Sequence, residues 1–137
     1  MYITDKTEFP IITISYKSTD KQSVEDVLAK FDALLAKRQK FLFISEGSFD
    51  EAENEQDYES RKKIVTWVKA NRQTLSKYIL ALIHLEQDSE QRVKMEHFSK
   101  MYITFSGYPM HIVSHQNELD RLVTQLLNLN YDCQKLN

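Results

Sequence analysis

The side chains best matched to general-base work near neutral pH are four histidines, His84, His97, His111 and His115. His84 and His111 fall in apolar runs that read as strands, and His115 lies just past one. The segment HIVSH puts His111 and His115 four residues apart, a spacing that aligns two ligands on one helix face but not on one strand. A metal site needs two or three converging ligands, so these histidines are expected in a satisfied core or on a wet surface, with no metal. No Ser or Cys stands in the glycine-flanked turn of a nucleophile elbow. Cys133, the sole cysteine, has only Lys135 as a nearby cation and reads as an ordinary thiol. Seven acids between Glu46 and Glu59 lack the alternating oxygens and central glycine of a calcium loop. The expectation is no catalytic residue, no metal and no cofactor, and a chain that is not an enzyme.

Recognition chemistry is better represented. Trp67, Phe98, Tyr102, Phe105 and Tyr108 form an aromatic group, with Arg61 and Arg92 nearby in sequence. Helical spacing makes most of the aromatics core, but aromatics and arginines are also the residues favoured at interface hot spots. Arg61 and Arg92 suit ion pairs with the many carboxylates or the anchoring of an anionic group. In an open α/β sheet a ligand meets the carboxyl ends of the parallel strands, which here means Ser45–Asp50, Glu86–Ser89 and Ser114–Asn117. The candidate ligand or partner contacts are therefore Ser45, Ser48, Arg61, Trp67, Arg92 and Tyr102.

The elements that position these residues alternate. Met1–Ile3 reads as a short edge strand and Phe9–Tyr16 as a β-branched strand. Ser23 opens a capped helix carrying Val24, Val27, Leu28, Phe31, Leu34 and Leu35. FLFIS (41–45) is a buried strand, and Ser48 with Glu51 matches a capping box. A helix follows from Tyr58, ending at Ser76 and Lys77, and Tyr78–Leu85 (YILALIHL) reads as the most buried strand, apolar without alternation. Ser89 is expected to cap a third helix that stops at Gly107 before Pro109. Met110–Val113 is a short strand, Ser114 the cap of a final helix, and Asn128–Asn137 a tail. This order predicts one α/β domain over 1–130 with a tail at 131–137, its sheet mostly parallel, of about four or five strands carrying about four helices.

Composition sets the remaining bounds. A chain of 137 residues holds one ordinary domain, and two glycines and two prolines leave no room for phosphate-cradling glycine-rich loops. A formal net charge of −2 provides no drive toward nucleic acid or anionic membrane. No apolar run approaches the ~20 residues of a membrane span, and MYITDKTEFP has no secretory pattern, so a cytoplasmic protein without membrane insertion is expected.

Laid out in this order, the chain resembles the STAS-like, or SpoIIAA-like, bacterial domain group, which is linked by shape to CRAL-TRIO lipid-binding domains. The resemblance is carried by RKKIVTWVKANR (61–72), by the apolar strand Ile79–Leu85 at the expected distance, by Arg92 early in the next helix, and by YPMHIVSHQNEL (108–119). It implies a single STAS-like domain with a regulatory role. Antagonists of this group carry a phosphorylatable Ser in an Asp-Ser-Gly-like context, whereas the matching loop here is ISEGSFDE, with Ser45 and Ser48 but not that context. A phosphate on Ser48 would meet the opposing charge of Asp50 and Glu51. The function expected is a non-catalytic interaction or regulatory module that binds a protein partner, with a homodimer as one form. The alternative is a binder of a small amphipathic, lipid-like ligand in an aromatic pocket.

Overall fold

The computed structural model describes residues 2–3, 8–15, 23–46 and 58–135. Strands β1 (Tyr2–Ile3), β2 (Ile11–Ser15), β3 (Phe41–Glu46), β4 (Ile79–Leu85) and β5 (Met110–Val113) form one sheet in chain order. β1 runs antiparallel on the edge and the other four are mutually parallel. Helices α1 (Val24–Ala36), α2 (Tyr58–Tyr78) and α3 (Ser89–Ser106) make the crossovers, and α4 (Gln116–Lys135) follows β5. Among the described residues no helix is long and apolar enough to cross a membrane.

The layering follows from chirality. Crossovers of one hand that each advance one strand in the same direction must fall on one face of the sheet. Val27, Phe31 and Leu35 of α1, Val68 and Leu75 of α2, and Met95 of α3 accordingly share one core with Ile12, Ile14, Phe41 and Phe43. The opposite face is left to α4, whose Leu119, Leu122, Val123, Leu126 and Leu127 cover Leu42, Ala81, Ile83 and Val113.

β4 is internal to the sheet, and five of its seven residues are buried. Its lack of alternation has a local cause. Phe41 pairs with Ile79 and Phe43 with Leu82, so one residue of β3 faces two of β4. This bulge turns Leu80 and Ala81 to the α4 side together, and puts Ile79 and Leu82 both on the three-helix side.

Local signals set most boundaries. Ser23 caps α1, its Oγ accepting from the Asp26 N–H at 3.1 Å, with Glu25 and Asp26 in the first turn where the helix dipole favours acid. The helix stops without a glycine, at Arg38 in the left-handed region (φ 53°). Four expectations are corrected. Tyr78 is helical, because Ser76 and Lys77 lie on the solvent side of the last turn of α2 while Leu75 is buried, so the polar pair does not break the helix. Asp88, not Ser89, caps α3: its Oδ2 accepts from the Gln91 N–H at 2.9 Å, and a carboxylate is the better partner for a helix N-terminus. Ser114 does not cap the last helix, which starts at Gln116. Its hydroxyl donates instead to Glu118 Oε1 at 2.8 Å. The backbone of α4 also continues to Lys135 through the segment read as a tail from Asn128, where neither Gly nor Pro interrupts it. The Ser48–Glu51 capping box lies outside the described residues.

Gly107 ends α3 with φ 90° and an N–H that donates to the Ile103 carbonyl at 2.9 Å. A Cβ there would sit 3.1 Å from the Arg72 carbonyl oxygen and 3.2 Å from its Cγ, and Arg72 in turn reaches the carbonyl of Thr104 at 3.4 Å. Backbone conformation and space both demand glycine. Gly107→Ala is expected to lower the unfolding free energy by about 1 kcal/mol or more in urea titration; an unchanged midpoint would refute this account of the α2–α3 contact.

Candidate functional site

The carboxyl ends of the central strands carry a buried polar cluster. The bulge in β4 fixes its geometry: Ser45 pairs in register with His84, and both point to the three-helix face, two residues beyond Phe43 and Leu82. Ser45 Oγ and His84 Nδ1 are 2.7 Å apart, and His84 Nε2 lies 3.4 Å from Glu86 Oε2. The facing carboxylate favours a proton on Nε2, leaving Nδ1 to accept from the Ser45 hydroxyl. Burial lowers the His84 pKa, and the hydrogen bond and charge of Glu86 offset only part of that, so the ring is neutral at pH 7.

A Ser, a His and a carboxylate in sequence invite comparison with a nucleophilic triad, but access argues against that role. Ser45 is 0% exposed and His84 1%. The hydroxyl has no face a substrate carbonyl can approach in this conformation, and it sits within a paired strand rather than on a turn. What the arrangement does is pair the buried Ser45 hydroxyl with His84 Nδ1, set Nε2 facing the Glu86 carboxylate at 3.4 Å, and tie β3 to β4 through side chains.

The other predicted contacts are dispersed. Ser48 lies outside the described residues. Arg61 is exposed on α2. Trp67 is half-buried, its ring 5.6 Å from that of Phe31 and its indole N–H donating to Asp32 Oδ1 at 3.2 Å. It forms part of an open groove of about 500 Å³ between α1 and α2, with Val24, Leu28 and Ala70, crossed by the Lys63–Glu25 ion pair at 2.6 Å. Arg92 is half-buried near the start of α3. The Glu118 carboxyl is held below its ordinary range by hydrogen bonds from the Ser114 hydroxyl and N–H, with smaller help from the charges of His115 and Arg92. Tyr102 is bonded to Tyr108 between their hydroxyls at 2.8 Å, and burial, then the neighbouring phenol, pushes its pKa well up. Phe98 therefore packs on Tyr102 and Tyr102 on Tyr108, their rings set into the core rather than around a cavity. His84 is the participant that sequence reasoning assigned no role, and its 39-residue separation from Ser45 leaves no local signal. Among the described residues no group of His, Cys, Asp and Glu converges as a metal site.

One side of α3 is unlike the rest of the surface. Val93, His97, Met101 and Phe105 recur every four residues and make a single ridge. Val93 is 55% exposed, Met101 67% and Phe105 41%, while Met95 and Ser106 on the opposite face are buried and Phe98 and Tyr102 half-buried. Ile103, 47% exposed, adds apolar area near the end of the helix.

The buried His84 and the half-buried His111 set a pH dependence. Burial lowers the folded-state pKa of both His84 and His111 from the ordinary 6.5. The unfolded chain then takes up protons below 6.5 that the folded chain does not, so stability present above 6.5 is lost as pH falls toward the lowered values. The urea midpoint is expected to drop from about pH 7 to about pH 5, and His111→Gln to retain the part of the drop that belongs to His84. A flat midpoint across that window would contradict the placement of both rings.

Comparison of the chain with protein-family models, with curated proteins and with solved structures finds no significant match.

Proposed function

We propose that this chain is a non-catalytic protein-interaction module of STAS-like fold, and that it binds its partner through the solvent face of α3. The observation that carries this reading is the exposed ridge of Val93, Met101 and Phe105 on a helix whose other face is packed into the core. Large apolar side chains clustered on one exposed element are costly to leave wet, and such patches mark interaction surfaces. Among the described residues the Ser45–His84–Glu86 cluster is closed to substrate, so recognition rather than turnover is the role best supported. The STAS-like assignment is supported by a chain-ordered sheet with one antiparallel edge strand and three crossover helices on one face.

Affinity capture from the native cell tests the reading. The wild-type chain is expected to retain a partner that Met101→Glu and Phe105→Asp each lose, while Lys69→Glu on exposed α2 keeps it. Capture of the same proteins by all four baits would remove α3 from the binding surface.

A second reading, a small amphipathic ligand, is favoured by the α1–α2 groove with its apolar floor of Val24, Leu28 and Ala70 beside Trp67. Because Trp67 is the sole tryptophan, its emission reports on that groove alone. Titration with fatty acids and lysophospholipids is expected to shift the emission and raise Tm if the groove is a ligand site. Unchanged emission and Tm across the panel would dismiss it.

A further inference from the structure

We infer that the partner seated on α3 is a second copy of this chain, the two α3 helices packing antiparallel so that Glu96 of each copy meets Lys100 of the other. The inference rests on the reading of α3 as the interaction surface and names its occupant.

The spacing of the ridge carries the argument. Val93, His97, Met101 and Phe105 lie one turn apart, so a two-fold axis placed between His97 and Met101 sets Val93 opposite Phe105 of the second copy and His97 opposite Met101. On one shoulder of the ridge, with the same spacing, stand Arg92, Glu96, Lys100 and Thr104. The same axis brings Glu96 against Lys100 of the second copy, and Lys100 against its Glu96, while Arg92 faces a neutral Thr104. The contact is isologous, and its charge order is self-complementary. A parallel two-fold would carry this shoulder to the far side of the second copy, away from its own counterpart, so the reciprocal Glu96–Lys100 contacts form only in the antiparallel arrangement. Both side chains are exposed and available: among the described residues the ion pairs are Lys63–Glu25 and His84–Glu86, and neither involves Glu96 or Lys100. The apolar ridge supplies the area and the flanking charges the register, the division of labour that fixes partner choice in paired helices.

Sedimentation equilibrium with charge-swapped variants tests this. The wild-type chain is expected to dimerise reversibly. Glu96→Lys and Lys100→Glu each turn both reciprocal contacts repulsive, and each is expected to weaken the dimer roughly tenfold in Kd. The doubly swapped chain is expected to recover most of that loss. Mixing the two single variants is expected to give a heterodimer tighter than either homodimer, a result that a merely structural role for these residues would not produce. Met101→Glu is expected to abolish the dimer and leave a folded monomer whose melting temperature no longer depends on protein concentration. A chain that stays monomeric overturns the inference, as does a dimer indifferent to both single swaps or not rescued by the double swap. A monomeric wild type whose captured partner is still lost on Met101→Glu would leave α3 as the interaction surface with a different protein on it; loss of both results would remove the reading as well.

Discussion

The bulge opposite Leu42 is the constraint from which the interior is built. One extra residue in β4 reverses the facing of every side chain that follows it. Without it, His84 would point to the α4 side, where it would meet the apolar surface of Leu122 and Val123, and Ile83 would turn toward the three-helix core. With it, Ile83 joins the α4 layer and His84 comes into register beside Ser45. The shift gives one nitrogen of the buried imidazole the Ser45 hydroxyl as a hydrogen-bond partner and brings the other to 3.4 Å from the Glu86 carboxylate. The polar cluster and the apolar packing around it are thus consequences of one register.

The two faces of the sheet do different work. The three-helix face is held by aromatic contacts that run from Phe9 through Phe41, Phe43 and Phe31 to Trp67, and from Phe43 through Tyr108 to Tyr102 and Phe98. Edge-to-face and tilted rings combine large buried area with fixed geometry, so this face is stiff. The α4 face is aliphatic and single-layered. A helix anchored on the stiff face can present its outer ridge without deforming, and α3 is anchored there by Met95, Phe98 and Tyr102 and tied to α2 where Arg72 reaches its last carbonyls.

That anchoring explains how α3 can carry apolar residues on both sides. Its buried side supplies the packing free energy, and Gly107 with Arg72 closes its C-terminus, so the exposed side is under no demand from the fold. The α1–α2 groove differs. It is spanned by an ion pair, and its tryptophan is already held by Phe31 and Asp32, so much of its bonding capacity is taken within the chain.

Periodicity by itself determined the element order and the parallel sheet, because hydrophobic spacing and short polar breaks are local properties of the chain. It also determined the apolar faces that α1 and α4 turn toward the protein, and that Ser23 and Gly107 stand at helix ends, since a cap needs only its own neighbours. Boundaries that depend on which side of a helix faces water were not legible: Ser76 and Lys77 look like a break until their turn is seen on the solvent side, and Asn128 looks like an end until α4 continues past it. Tertiary structure alone decided the polar cluster, because Ser45 and His84 are 39 residues apart and their meeting depends on a bulge that YILALIHL, apolar almost throughout, does not betray. It alone decided the surface as well. Val93, Met101 and Phe105 have the composition of a core, and only the choice of which side of α3 packs on the sheet left them facing solvent.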